Sequence, residues 1–356
     1  MEALTYKCPN CGGGLVFDPS SGQFKCEFCL SKFTEEELKQ HFPGQTEPDA
    51  AESAEESKPE QDDEFAAHSM AYRCPSCGAE IITDDTTAAT FCYYCHNPIV
   101  CEGRLSGAFK PDKVVPFEID RKTAEKTFLD WVKKRKFVPR DFFGKKQLEK
   151  MTGVYFPYWM TEADLFGTLE GTARQVRVWV AGDIEYTETT TYRVHRAGKL
   201  HFREYLSLAF RKGDQTLLSR ILPYDMSRAV DFAMPYLSGF QAEKRDVERS
   251  EAELPVQNTI HAYSEDLLRD TTGGCGILTG ESTQFSQEQY DWKYCLLPVW
   301  LMTYRGRDNK MYYFALNAQT GEIVGELPLS GKRLAGLFAG VAAAVSLLVL
   351  IGGMLL

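Results

Sequence analysis

The sequence has no surplus of basic residues, no apolar leader and no long hydrophobic run before residue 334. Its formal net charge of -10 does not describe a nucleic-acid-binding protein. Most of that charge sits in one place. Residues 44–70 hold nine acidic side chains against Lys58 alone, a local net of -8, so the remainder of the chain sums to -2. Lys7, Cys8 and Pro9 precede any hydrophobic run, which argues against a secretory leader and places the first hundred residues in a reducing cytosol. With 44% apolar and 25% charged residues the chain is neither mainly disordered, nor collagen-like, nor polytopic, and its 356 residues accommodate two or three domains.

Local catalytic signatures are missing as well. The glycine run from Gly273 to Gly280 is followed by Glu281, where a phosphate-binding loop needs Lys. There is no nucleophile elbow, no His-Glu-x-x-His helix and no dinucleotide fingerprint. The expectation is a protein that is not an enzyme.

What is present is a repeated cysteine pattern. Eight of the eleven cysteines form four Cys-x-x-Cys pairs in the first hundred residues. Residues 6–29 recur as residues 72–95 at a constant offset of 66, so that Cys8, Cys11, Cys26 and Cys29 map onto Cys74, Cys77, Cys92 and Cys95. In each copy the leading pair is a Cys-Pro-x-Cys-Gly turn, in which proline presets the turn and glycine can take a positive φ. Four thiolates from two such turns make a closed tetrahedral S₄ site that suits a structural Zn²⁺, and iron in a similar site is the weaker alternative. A unit of about 35 residues buries too little surface to fold unaided, and a metal supplies what the core lacks. Two Zn²⁺ ions are therefore expected. His96, next to Cys95, is read as a bystander, and Cys101, Cys275 and Cys295 as small apolar residues.

The intended organisation follows from composition. Residues 1–42 are zinc ribbon 1, residues 43–70 an acidic disordered linker with a root-mean-square span of about 30 Å, and residues 71–105 zinc ribbon 2. Residues 106–330 read as an antiparallel, β-rich α+β domain. Asp120 caps an amphipathic helix from Thr123 to Phe137, and period-two patterning from Asp164 to Leu206 reads as a meander with turns at Gly182 and Gly198. A helix near Val247 to Arg269 is interrupted at Pro255, with Ile260, Tyr263 and Leu267 on one face, and residues 291–305 and 310–326 form a hairpin. Two segments echo each other, Tyr155 to Met160 and Leu296 to Leu301; each holds a Pro expected at an edge or bulge and a Trp expected in the core, and together they suggest a duplicated half-domain.

Residues 334–356 carry no charge and follow Lys332 and Arg333. At about 1.5 Å per residue they read as one transmembrane helix, a tail anchor whose basic pair marks the membrane entry and keeps the bulk in the cytoplasm at the cell membrane. Gly336 and Gly340 offer a face for a homodimer of such helices. Residues 121–150 hold eleven Lys and Arg against four acids, including Lys133, Lys134, Arg135 and Lys136, a candidate contact for an anionic surface such as a lipid bilayer. The ribbons themselves are acidic, and each bound Cys₄ zinc adds a further charge of -2, so protein partners suit them better than nucleic acid.

The paired ribbons, the acidic spacer, Pro235 to Glu243, Asn317 to Glu322 and the terminal stretch together resemble a family of bacterial tail-anchored double zinc-ribbon membrane proteins, over nearly the whole chain. Members are often automatically named after transcription-factor-type zinc ribbons, an RNA polymerase subunit or a primosomal superfamily II helicase. The helicase name would imply an ATP site, which this chain lacks; the Cys₄ motif alone carries over, at the eight cysteines named. Genes similar to this one sit beside those of stomatin-like membrane proteins, which the resemblance implies as partners. The expected function is a membrane-anchored zinc-binding adaptor that recruits protein partners. The alternative is a membrane-associated nucleic-acid-binding factor that uses residues 121–150.

Overall fold

The structure, a computed structural model, describes residues 3–4, 6–41, 69–74, 80–84, 86–92, 98–101, 109–135, 137–138, 151–212, 214–273, 276–305, 311–327 and 330–355. Cys77, Cys95, His96, Cys275, Lys136, most of the linker over 43–70 and all of residues 139–150 lie outside them.

After β1 (Ala3–Leu4), ribbon 1 is a three-stranded antiparallel sheet of β2 (Leu15–Asp18), β3 (Gln23–Cys26) and β4 (Lys32–Phe33), closed by helix α1 (Glu35–His41). Thr34 and Glu37 cap α1 reciprocally: the Thr34 backbone N–H donates to Glu37 Oε2 at 2.7 Å and the Glu37 N–H to Thr34 Oγ1 at 3.3 Å. The second ribbon contributes the hairpin β5 (Ser69–Arg73) and β6 (Glu80–Asp84), then β7 (Thr87–Phe91) and β8 (Pro98–Cys101).

The remaining elements are β9 (Lys113–Val114), α2 (Arg121–Lys133), β10 (Thr152–Ala181), β11 (Ile184–Leu208), α3 (Gln215–Arg220), β12 (Val230–Asp231), β13 (Gln241–Glu243), α4 (Arg249–Asp270), β14 (Ile277–Arg305), β15 (Met311–Asn317), β16 (Ile323–Gly325) and α5 (Gly331–Leu355). One 11-stranded sheet runs β1-β8-β7-β13-β10-β14-β15-β16, with β11 added to β10 and the short pair β9–β12 joined to β14. This corrects the expected fold class. The molecule is β-rich and built on a single large mixed sheet with few helices, and strands of ribbon 2 belong to that sheet. The physical reason is strand length: period-two, β-branched sequence continues through the expected turn at Gly198, so the meander is replaced by two long strands that turn only at Gly182, where φ is +63°.

Three long strands, β11, β10 and β14, make an arm. At its base the two echoing segments lie side by side, antiparallel, with Phe156 opposite Leu297. Residues of β10 alternate between the two faces, and both faces are covered there, which gives an unbroken buried run from Gly153 to Thr161. Tyr155 and Trp159 pack with Phe117, Phe128, Phe240 and Trp300 on one side; Phe156 and Tyr158 pack with Phe210, Leu218 and Ile221 on the other. Trp159 Nε1 donates to Val247 O at 3.0 Å and Trp300 Nε1 to Ile119 O at 2.9 Å, so both indoles are core residues with satisfied N–H groups.

One helix follows the sequence closely and one departs from it. Asp120 accepts from Thr123 N at 2.8 Å and α2 buries Ala124, Phe128 and Val132, three residues four apart. Helix α4 runs through Pro255 without a break, and its buried face is Ala252, Val256, Ile260, Ser264 and Leu268, while Tyr263 and Leu267 are exposed. That face covers the arm through Leu165, Leu169 and Ala173 of β10 and Val194 of β11, burial that offsets the proline's roughly 3 kcal/mol cost in a helix interior.

The C-terminal stretch is helical, but among the described residues no helix is long and apolar enough to cross a membrane. This corrects the expected transmembrane tail anchor over 334–356, the single-pass cell-membrane localisation and the role of Lys332 and Arg333 as a membrane entry. Within α5, seven of the thirteen residues from Leu334 to Ser346 are Gly or Ala, which carry little transfer free energy. Arg333 instead anchors the start of α5 to the body, its Nη1 donating to Val138 O at 2.8 Å.

Candidate metal centre

Ribbon 1 is seated on the segment Pro235 to Gln241. Phe17 meets the Tyr236 ring edge-on at 5.3 Å and Phe24 meets it at 5.9 Å, while Tyr236 Oη donates to Glu35 Oε2 at 2.7 Å. The Phe17 N–H donates to Ser238 O at 3.0 Å, and Ser238 Oγ donates back to Leu15 O. Gly239, at φ +92°, lies so close to Val16 that a Cβ there would fall 2.2 Å from Val16 Cγ1. The ribbon is therefore held by aromatic packing and paired hydrogen bonds at a fixed place beside the sheet.

On that base the two turns bring four sulfurs together. Cys8, Cys11, Cys26 and Cys29 have ligand atoms that all lie within 4.8 Å of one another. Cys8 and Cys29 are 3.5 Å apart at sulfur, as are Cys11 and Cys26. A tetrahedron of Zn–S bonds of about 2.3 Å puts its sulfurs roughly 3.8 Å apart, so the cluster is close to the size a metal ion needs. Cys8 and Cys26 are buried and Cys11 and Cys29 exposed, which sets the centre at the ribbon's tip with one side facing solvent. The donors are soft and the set is complete, and such a site can hold a divalent ion structurally with no position left for substrate.

The two turns are built alike. Gly12 N donates to Cys8 O at 2.8 Å and Leu30 N to Cys26 O at 3.0 Å, so each closes on the carbonyl of its first cysteine. Both closing residues are left-handed, Gly12 at φ +75° and Leu30 at φ +62°. Glycine is free in that region, whereas a leucine is held there at a cost of roughly 1–2 kcal/mol. Hydrogen bonds feed the sulfurs as well. Asn10 Nδ2 donates to Ser31 Oγ at 2.9 Å, and Ser31 Oγ lies 3.2 Å from Cys29 Sγ. The Ser31 hydroxyl and then its N–H draw the Cys29 thiol down to about 6. At Cys11 the Gly13 N–H lowers the pKa, but the sulfurs of Cys29 and Cys26 outweigh it and push the thiol up to about 12; burial raises Cys8. Thiols this crowded ionise together only around a cation, which is the chemistry of a metal-binding cluster.

Of the second expected centre, Cys74 and Cys92 are described and share a buried cluster with Tyr72, Ile99 and Cys101, while Cys77 and Cys95 are outside the described residues. Cys295 lies in the sheet core, where burial pushes its thiol up to about 12. In the basic segment, Lys133 Nζ pairs with Asp130 at 3.2 Å and the Arg135 guanidinium lies 5.4 Å from the centre of the Trp131 ring. His195 and His201 are cross-strand residues that each oppose an acid on β10, with His195 Nδ1 3.4 Å from Glu170 and His201 Nδ1 2.5 Å from Asp164. Tyr158, Tyr224 and Tyr294 are raised by burial; Tyr158 and Tyr224 donate to backbone carbonyls, and Tyr294 Oη accepts from Arg245 N. Sequence reasoning missed the left-handed Leu30 and the Ser31–Asn10 support; the shared Cys-x-x-Cys spacing of the two turns was the signal that could have found the first.

No family model matches the chain, and no solved structure matches it. It is similar to the uncharacterized protein YdjG of Bacillus subtilis (strain 168), 29% identical over 344 residues that cover 95% of this chain and 94% of the other.

Proposed function

We propose that the protein is a non-enzymatic adaptor that presents two structural zinc ribbons to protein partners. The Cys₄ cluster of ribbon 1 supports the reading most directly, because a complete thiolate shell stabilises a fold and leaves no position for catalysis. The metal is zinc, and Cys74, Cys77, Cys92 and Cys95 hold the second ion, by the constant offset of 66 that relates the two cysteine sets. Charge supports protein partners: residues 1–42 sum to -2, and four thiolates around one dication add -2 more. So does shape. Phe28 is 74% exposed and Leu30 65% exposed, both beside Cys29 at the ribbon's tip, a compact apolar contact on a rigid mount.

The test pairs metal analysis with capture. Purified full-length protein should carry two zinc ions per chain. The wild type and Phe28→Asp should be compared as baits, with metal content as the check on folding. Loss of captured proteins by the zinc-loaded variant is expected; retention of every one of them would sink the adaptor reading.

A further inference from the structure

Among the described residues the longest open edge belongs to β11, whose one strand neighbour there is β10, so its outer backbone groups have no strand partner along the arm. Open edges of this length are templates for another strand, and soluble proteins usually blunt them. This one is regular from Ile184 to Phe202, where a bulge at Arg203 and Glu204, with Glu204 at φ +56°, ends it. Ile184, Tyr186 and Tyr192 stand exposed along it.

Its charges are sorted by sign. The first part carries Glu185 and Glu188; the second carries Arg193, Arg196 and Lys199. A strand with its acids at one end and its bases at the other is complementary to itself when a second copy runs antiparallel beside it. A two-fold axis perpendicular to the sheet keeps each residue on its own face, so residues can oppose each other only within one face. One register then satisfies the strand. With Tyr192 on the axis, Glu185 faces Lys199 of the second copy, Glu188 faces Arg196, and both pairs occur twice. Moving the axis to Arg193 sets like charges against each other, and moving it to Thr191 opposes Glu185 to Ala197 and Glu188 to Val194.

A second observation selects the same register. Gly198, opposite Gly167 on β10, has open space where a side chain would stand. With Tyr192 on the axis, Tyr186 of the second copy lies directly across from Gly198, and an aromatic ring covering an edge glycine is a recurrent stabilising pair. Tyr186 is already stacked on Trp179, with centroids 5.6 Å apart and planes 11° apart, so the ring is held on the correct face before any partner arrives.

We infer that the occupant of this edge is a second copy of the chain, and that the protein forms an isologous dimer by antiparallel pairing of β11 about Tyr192. The two sheets become one continuous sheet, and on the adaptor reading the dimer doubles the ribbons available to a partner, which raises avidity without any new contact.

Sedimentation velocity on the full chain tests this. The wild type should dimerise, more weakly at high salt. Lys199→Glu introduces two repulsions per dimer and should weaken association by about tenfold or more. Combining it with Glu185→Lys should restore the dimer, a rescue that a misfolded variant could not give. A wild-type monomer at every accessible concentration, a dimer indifferent to Lys199→Glu (as one formed through α5 would be), or failure of the double variant to recover would each overturn the proposal.

Discussion

Pro157 and Pro298 occupy equivalent points on the two central strands. Each lies where its strand exchanges one outer neighbour for the next: β13 pairs through Tyr155 and β11 from Tyr158, while β9 pairs through Leu296 and β15 from Val299. In both cases the first neighbour is parallel and the second antiparallel, and the pair Phe156–Leu297 lies at the centre of the relationship. A proline lacks the N–H that a ladder uses, and here each falls in the gap between two ladders.

Replacing either proline by alanine should therefore change stability by no more than about 1 kcal/mol, mainly through the unfolded chain. Val299→Pro, one position further on, should cost about 3 kcal/mol or more, because the N–H of Val299 turns to the other side, toward Val154 in the continuous β10–β14 ladder. Urea unfolding followed by tyrosine and tryptophan fluorescence separates the two outcomes.

Gly239→Ala should loosen ribbon 1 from its seat. The new Cβ would meet Val16, and the backbone would be held at φ +92°, for a cost of about 1–3 kcal/mol. Hydrogen exchange should quicken in Leu15–Cys26, and Val16→Ala in the same chain should restore part of the protection. Unchanged exchange would mean that the contact does not hold the ribbon.

Leu30→Gly should strengthen the metal centre by about 1 kcal/mol, because the leucine occupies a left-handed position that glycine takes freely. Release of the bound metal to a chromophoric chelator should slow accordingly. Gly12→Leu, at the equivalent place in the other turn, should speed it.

Acid should weaken the arm through Asp164. Its carboxyl is held below the usual range first by the hydrogen bond from His201 and then by Arg203. A carboxyl depressed in the folded state contributes its stability above the unfolded value near pH 4 and loses it as pH falls through the folded value. Asp164→Asn should remove that contribution, leaving the variant slightly less stable than the wild type at neutral pH, by the small margin of an exposed pair, with the two profiles converging as pH falls below about 4. Thermal unfolding across that range is the measurement.

The local parts of this structure were legible in the sequence: the Cys₄ set of ribbon 1, the Asp120 cap, the turn at Gly182 and the buried indoles of Trp159 and Trp300 each follow from a few neighbouring residues. The large sheet was not, because its pairings join β7 to β13 and β9 to β14 across long stretches of chain and leave no local pattern. Pro255 misled for a related reason. A proline reads as a break when only its own turn is considered, and the contacts of Ala252, Val256 and Ile260 with the arm that keep α4 whole are tertiary. The left-handed Leu30 was hidden because leucine carries no propensity for that conformation, and the position is imposed by the turn around Cys26 and Cys29.

Residues Pro235 to Glu243 touch both ribbons, ribbon 1 through Tyr236, Ser238 and Gly239, and ribbon 2 through the pairing of Ala242 with Ala89. That short stretch acts as a ruler between them. Spacing is then indifferent to how many amino acids lie between Cys29 and Cys74: insertions, deletions or a protease cut in that acidic tract would alter the covalent path while the two modules kept their mutual placement.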